Sequence, residues 1–327
     1  MKSLRVFVTR RIFPEAVDLL SAVAQVEVWP DDEPPTPAQL LENVEGVHGL
    51  LTNVMDRVDG ELLDAATELK AISQLSVGLD NVDLVAATRR GLPVSNTPGV
   101  LAKSTADLGF GLLLDAARLI SRGDRWVRAG HWQLAHHPMH WLGSEVHGAT
   151  LGILGMGQIG LEMAKRGMGF DMKVIYHSRT RKPELDAEYG MEYVERDMLL
   201  SSADFVCLHL PLTAQTRHYI GETELRAMKP TAVLVNMARG PVVDSKALYT
   251  ALNEGWIQAA GLDVTDPEPI PVDDPLLTLD NLIISPHIGS ASLDTRRATC
   301  LMAARDLVAG LQGEAMEHCA NPEVYQA

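Results

Sequence analysis

The sequence predicts an α/β protein built from two doubly wound parallel sheets, one larger and one smaller. Three observations predict it. Short apolar runs alternate with helical patterns along nearly the whole chain, the order expected of a parallel sheet with helices on both faces. A glycine-rich turn joins one such run to one such helix. The chain has 327 residues, and at about 150 residues per domain this length suggests two domains.

The elements follow in order. Leu4–Val8 reads as a strand, Glu15–Val23 as a helix just after Pro14, and Val26–Trp29 as the next strand, followed by the turn cluster DDEPPTP. Gln39–Val44 is helical, Gly49–Val54 a strand, Leu62–Leu69 helical, Ala71–Ser76 a strand, Val82–Arg89 a helix and Pro93–Ser95 a short strand. A long helical pattern from Lys103 to Gly130 comes next, with Leu108, Leu112, Leu113, Ala116 and Leu119 at helical spacing and a break expected near Gly123. A second alternation has strands near 150–154, 173–177, 204–208, 231–235, 257–262 and 282–285, and a last helix spans Leu293–Leu311. That helix is expected to pack back on the first domain. The smaller domain is therefore expected to be discontinuous, 1–102 with 291–327, and the larger to span 103–290.

Composition narrows the function. Lys and Arg number 28 against 43 Asp and Glu, a net charge of −15, which argues against binding nucleic acid or an anionic membrane because both need a basic face. A small anion needs only a local positive patch. Cys207, Cys300 and Cys319 are far apart and odd in number, which excludes a disulfide scaffold and a zinc ribbon and suits reduced thiols. The start, MKSLRVFVTRRIF, has no signal-peptide apolar core, and no stretch reaches about 18 uninterrupted apolar residues, so a cytoplasmic protein is expected. His131, His136, His137 and His140 have no carboxylate spaced with them as further ligands, and no metal is expected.

The segment Gly155-Met156-Gly157-Gln158-Ile159-Gly160 follows the apolar run Leu151–Leu154 and opens an amphipathic helix. That context is the one the dinucleotide fingerprint of a Rossmann-type sheet requires. Gly155 would make the tight turn, Gly157 would let backbone N–H groups approach a pyrophosphate, and Gly160 would let helix and strand pack closely. The helix N-terminus adds positive potential. The next strand, Lys173–His177, ends at Ser178-Arg179-Thr180-Arg181, where an NAD-binding chain usually carries an acid for the ribose 2′-hydroxyl. Here the first acid is Glu184, after a hydroxyl and the cations Arg179, Arg181 and Lys182. Arginine binds a 2′-phosphate through paired, charge-assisted hydrogen bonds, so NADP(H) is expected in preference to NAD(H), which stays possible.

Three further residues lie just beyond predicted strands, where doubly wound folds place ligands: Arg239 in VLVNMARGPVVD, Glu268 in GLDVTDPEPIP and His287 in IISPHIGS. Together they fit hydride transfer to a 2-keto acid. That reaction needs a cation for the carboxylate and a proton donor for the carbonyl oxygen, and a histidine held by a carboxylate serves near neutral pH.

On these motifs, with SVGLDNVDL (76–84) and HLPLTAQT (209–216), the chain resembles the D-isomer-specific 2-hydroxyacid dehydrogenases. Within them it resembles most the glyoxylate/hydroxypyruvate reductases, on VFVTRRI near the start, HGLLTNVMDRVD, the Ser-Arg turn, and AGLDVTDPEPIP with PLLTLDNLIISPHIGSAS. The resemblance implies a Rossmann-type nucleotide-binding domain with a smaller flavodoxin-like substrate domain. It implies that Arg239 binds the carboxylate and keto oxygen, that His287 is the general acid in reduction, and that Glu268 pairs with it. Val77 and Gly78 would offer backbone N–H groups to the carboxylate, and Arg296 a further contact. Cofactor contacts would come from Thr105, Gln158, Ile159, Ser178, Thr216, Met237, Ala238, His287 and Ser290, with Leu210 and Pro211 against the adenine and Asp263 on the nicotinamide carboxamide. It also implies a homodimer in which Trp141 lines the partner's substrate pocket. The expected activity is NADPH-dependent reduction of glyoxylate and hydroxypyruvate to glycolate and D-glycerate. A D-lactate-type or broader 2-keto acid reductase, or a nicotinamide-sensing corepressor on the same fold, stays open.

Overall fold

The structure, a computed structural model, describes residues 4–326. The chain divides into two compact units, one made of the residues up to Leu101 with those from Ala291 onward, the other of Ala102–Ser290.

In the first unit, β1 (Arg5–Val8), β2 (Gln25–Val28), β3 (Gly49–Thr52), β4 (Ala71–Gln74) and β5 (Val94–Ser95) form a parallel sheet in the order β2-β1-β3-β4-β5. This is the flavodoxin-like order. Three of the helices between strands start where polar side chains satisfy free N–H groups. Thr36 and Gln39 form a capping box on α2 (Pro37–Asn43), Asp59 caps α3 (Gly60–Ala65) and Asp83 caps α4 (Leu84–Arg89). Successive strand residues point to opposite faces. Phe7, Leu50, Ile72 and Val94 pack with Leu40, Leu62, Leu63 and Ala87 on one face. Val6, Val8, Leu51 and Ala71 pack on the other with α1 (Pro14–Ser21) and with Ala303, Ala304, Leu307 and Leu311. Those last four belong to the C-terminal helix (Leu293–Gln312), which thus completes the core of this unit.

The second unit carries β6 (Thr150–Leu154), β7 (Lys173–His177), β8 (Glu192–Tyr193), β9 (Phe205–Leu208), β10 (Val233–Asn236), β11 (Ala259–Leu262) and β12 (Leu282–Ile284). All pairs are parallel, in the order β12-β11-β10-β9-β6-β7-β8. One face packs under α5 (Ala102–Arg118) and α7 (Gln158–Met168) through Phe110, Leu113, Met163 and Ala164 against Leu151, Ile153, Phe205 and Val235. The other packs Leu154, Val206, Leu208 and Leu234 against Leu199, Leu225, Leu248 and Leu252 of the helices α9 (Arg196–Ser202), α10 (Glu222–Ala227) and α11 (Ser245–Asn253). The chain leaves β6 toward β7 on one side and returns to β9 on the other, so the switch point of the sheet lies between β6 and β9.

Two expectations are corrected. The long helix breaks at Leu119, not near Gly123. Leu119 has φ 58°, and Asp115 accepts hydrogen bonds from the N–H and hydroxyl of Ser121, which satisfies the start of α6 (Ile120–Arg128). Gly123 then makes an ordinary helical bond to Leu119. The edge strand β8 was not expected, because two residues, Glu192 and Tyr193, carry no apolar run; pairing with β7 makes it a strand.

Candidate active site

The glycine turn lies at the carboxyl end of β6. Gly155 has φ +100°, and a Cβ there would fall 2.7 Å from the carbonyl oxygen of His209; at Gly160 it would fall 2.3 Å from the carbonyl oxygen of Gly155. Only glycine lets these segments approach so closely. Gly157 is the N-cap of α7, with no side chain capping it, and a Cβ there would meet nothing within 4 Å. The open N–H end of the helix is therefore reachable by an anion. These residues fit a pyrophosphate.

At the end of β7, Ser178 donates to the carbonyl of Thr180 at 2.7 Å. Arg179 is exposed and has no hydrogen-bond or ion-pair partner among the described residues. Arg181 differs: its Nε donates to Asp186 at 2.8 Å, and Asp186 also accepts from the Tyr176 hydroxyl at 2.7 Å. Burial, followed by that hydrogen bond, pushes the Tyr176 phenol up to about 12. The Tyr176 hydroxyl and Arg181 together hold the Asp186 carboxyl below its usual range. Of the two arginines of this turn, Arg179 is thus without a partner among the described residues, while Arg181 is engaged by an acid that α8 (Pro183–Tyr189) folds back onto it.

The loops after β9 to β12 complete the crevice. Beyond β9, Thr216 donates to the carbonyl of Pro211 at 2.6 Å, which shapes the turn that starts at Leu210. His209 stands at the same end of β9. Both of its ring nitrogens are buried without a hydrogen-bond partner, and burial drives its pKa down to about 4. Nothing in the sequence marked His209 beyond its place in HLPLTAQT. At the exit of β10, the buried Asn236 donates to the carbonyl of Arg239 and accepts from the N–H of Ala238, both at 3.0 Å, which sets the turn Met237-Ala238-Arg239. Arg239 is half-buried.

Asp263, at the end of β11, is buried, and the 285–289 loop uses both of its oxygens. Oδ1 accepts from the Ser285 hydroxyl (2.6 Å) and the Ile288 N–H (2.8 Å), and Oδ2 from the Gly289 N–H (2.8 Å). The Asp263 carbonyl accepts the His287 N–H at 2.9 Å. These bonds hold His287 at φ 53°, a left-handed backbone that a non-glycine residue keeps only when its surroundings over-determine it. A Cβ at Gly289 would lie 3.0–3.2 Å from Asp263 Oδ2, Met237 Cε and Thr105 Cγ2, so these three residues converge on one point of the loop. The neighbouring Ser290 is half-buried.

The central contact is between His287 Nδ1 and Glu268 Oε1, at 2.5 Å. Glu268 Oε2 accepts the Thr265 N–H at 3.3 Å. Burial raises the Glu268 carboxyl, but the hydrogen bond and charge of His287, the Thr265 amide and the charge of Arg239 outweigh it and hold the group below its usual range. Glu268 is thus an anion at neutral pH, and it places the proton of Nδ1. Nε2 of the ring has no partner among the described residues, so it is the nitrogen that can exchange a proton with a ligand.

Other expected site residues lie elsewhere. Val77 and Gly78 follow β4 in the first unit, and Arg296 lies in the first turn of its C-terminal helix. Trp141 has φ 59°; its ring meets Trp126 edge-on at 5.4 Å and lies 5.5 Å from the Arg122 guanidinium. Among the described residues no group of three or more His, Cys, Asp or Glu is placed to hold a metal, and no helix is long and apolar enough to cross a membrane.

The model of the D-isomer specific 2-hydroxyacid dehydrogenase NAD-binding domain matches residues 110–289. The chain is 48% identical over 320 residues to a glyoxylate reductase of Korarchaeum cryptofilum, covering 98% of this chain and 96% of that one. It is 48% identical over 327 residues to a glyoxylate reductase of Aeropyrum pernix, covering 99% and 98%. Among solved structures it is similar to the TT0316 protein of Thermus thermophilus, with TM-score 0.91, 45% identity and coverage of 97% and 100%. It is also similar to an NADPH-dependent glyoxylate/hydroxypyruvate reductase of Sinorhizobium meliloti in complex with NADP and malonate, with TM-score 0.86, 31% identity and coverage of 98% and 98%. A parallel sheet with a glycine turn at its switch point, and an acid–histidine pair beside an arginine in the same crevice, agree with these matches: the chain belongs to the D-isomer specific 2-hydroxyacid dehydrogenases, oxidoreductases that use a nicotinamide cofactor.

Proposed function

We propose that the protein reduces glyoxylate and hydroxypyruvate to glycolate and D-glycerate, with NADPH as the preferred cofactor and NADH as a possible one. The observation that carries the reading is the His287–Glu268 contact with Nε2 left open, on the same crevice as Arg239 and the glycine turn. A reduced nicotinamide, when bound, supplies the hydride. Arg239 draws the carboxylate and keto oxygen of the substrate and stabilises the charge that develops on that oxygen. His287 delivers the Nε2 proton to the same oxygen, completing the alcohol, and Glu268 stabilises the ring while it is charged. Val77 and Gly78 are assigned the substrate carboxylate and Arg296 a further contact. Thr105, Met237, Ala238, Asp263 and Ser290 are assigned the nicotinamide end, Gly155 to Gly160 the pyrophosphate, and Leu210, Pro211 and Thr216 the adenine end.

Arg179 is the residue for cofactor choice, with Ser178 beside it and Arg181 in a supporting place because Asp186 already engages it. NADPH oxidation, followed by absorbance, should be fastest with glyoxylate or hydroxypyruvate in a panel of 2-keto acids. Inactivity toward the whole panel overturns the reading, and a preference for pyruvate moves it to a D-lactate-type enzyme. In the same assay Arg179→Asp should raise KM for NADPH by about ten- to a hundredfold, the scale of a lost charge-assisted hydrogen bond, and leave NADH nearly unchanged. Equal losses for both cofactors would refute the 2′-phosphate assignment.

A homodimer is part of the proposal. None of the residues of α6 is buried, and Ile120, Trp126, Val127, Trp132, Leu134, Met139 and Leu142 are all exposed within one short segment. So much apolar surface in one stretch marks an interaction site. Trp141 lies in this segment, consistent with a role toward a partner copy. Sedimentation should return a particle of two chains, and Trp126→Glu with Leu142→Glu should shift it to one; a wild-type monomer overturns the dimer.

A further inference from the structure

The segment after β4 combines two properties. Every carbonyl from Ser76 to Leu79 has a donor: Ser76 O accepts from the Thr97 N–H (3.0 Å), Val77 O from Asn96 Nδ2 (2.7 Å), Gly78 O from Ser76 Oγ (2.7 Å) and Gln74 Nε2 (3.2 Å), and Leu79 O from the Val82 N–H (3.0 Å). The N–H groups of Val77, Gly78 and Leu79 have no acceptor among the described residues. A peptide unit is planar, with its C=O and the following N–H pointing in opposite directions. Fixing the carbonyls of Ser76, Val77 and Gly78 therefore fixes the directions of the N–H groups of Val77, Gly78 and Leu79, one for one. Consecutive, oriented N–H groups make a receptor for an anion.

We propose that Asn96, Ser76 and Gln74 are positioning residues for the substrate carboxylate, acting by holding these peptide planes. The inference rests on the reading of the chain as a 2-keto acid reductase and adds to it the side chains that build the receptor. They are themselves held. Gln74 is buried, accepts from Thr52 Oγ1 (2.6 Å) and donates to Asn81 Oδ1 (2.6 Å). Asn81 donates in turn to the carbonyls of Asp56 (2.6 Å) and Asn53 (3.1 Å). Asn96 is tied through its own N–H to the carbonyl of His318 at 3.3 Å, so the C-terminal segment steadies the residue that orients Gly78.

The test uses the full chain with NADPH. The readouts are KM for glyoxylate and, by calorimetry, Kd for oxamate, a carboxylate of the same shape that cannot be reduced. Asn96→Ala and Ser76→Ala should each raise both by about five- to tenfold, the scale of one neutral hydrogen bond, with kcat and NADPH affinity little changed. Ser76→Thr, which keeps the hydroxyl, should restore most of the loss. Should an alanine variant fail to fold, Asn96→Asp serves in its place: the carboxylate has nearly the same shape, cannot donate to Val77 O, and should weaken oxamate at least as much. Folded variants with unchanged KM and oxamate affinity overturn the proposal. A wild type inactive on every 2-keto acid overturns the functional reading instead, and a lower oxamate affinity in the variants would still support the receptor.

Discussion

Replacing His287 by alanine lowers kcat for 2-keto acid reduction by about 10²–10⁴, the contribution of a positioned general acid. Cofactor affinity should change little, because the loss falls on the proton transfer. The size follows from the geometry. With Nδ1 held by an anionic Glu268 and Nε2 open, no other described side chain takes the same place. Glu268→Gln keeps a hydrogen-bond acceptor and removes the charge, so it should cost less than H287A. Stopped-flow single-turnover rates, which separate chemistry from product release, check this. An unaffected rate in H287A assigns the proton to another donor.

Acidification destabilises the protein before its carboxylates titrate, and His209 is the cause. Its ring is neutral in the folded state, with a pKa of about 4, against an ordinary value near 6.5 in the unfolded chain. Between these values the unfolded state binds more protons, so stability rises with pH across this window. The contribution is complete above about pH 6.5 and is lost as pH falls toward 4. A shift of this size corresponds to about 3 kcal/mol. Thermal melting of the ligand-free protein between pH 4 and 7 should show this slope, and His209→Gln should flatten it. The same slope in both proteins rules out His209. Glu268 and Asp186, whose carboxyls lie below their usual range, act in the same direction but at lower pH.

Much of this was legible in the residues. The β6–α7 turn could be read because glycine is obligatory where a Cβ would fall on a carbonyl, so its spacing is written in the chain. Apart from β8, the strands after it could be read from their apolar runs. Arg239, Glu268 and His287 were visible as polar residues just beyond such runs. The break at Leu119 was not visible, because glycine is the usual signal for a break and here Asp115 and Ser121 supply the local reason. Asp186 was not visible as a partner of Arg181, since it meets that residue only after α8 turns back. His209 showed no signal, because the lack of partners around a ring is a property of its surroundings.

By itself the sequence determined the α/β class, the strand and helix order, the glycine turn and the small set of residues able to bind anions and move a proton. Those depend on local periodicity and on which residue types tolerate a given backbone. The tertiary structure alone decided which of them meet: that Glu268 lies on Nδ1 and leaves Nε2 open, that Asp263 ties down the His287 loop, that Asp186 engages Arg181 and not Arg179, and that side chains from β4, the turn after it and the segment after β5 hold the carbonyls beside three N–H groups that have no acceptor among the described residues. The physical reason is that a hydrogen bond depends on distance and direction between groups far apart in the chain, and only packing sets those.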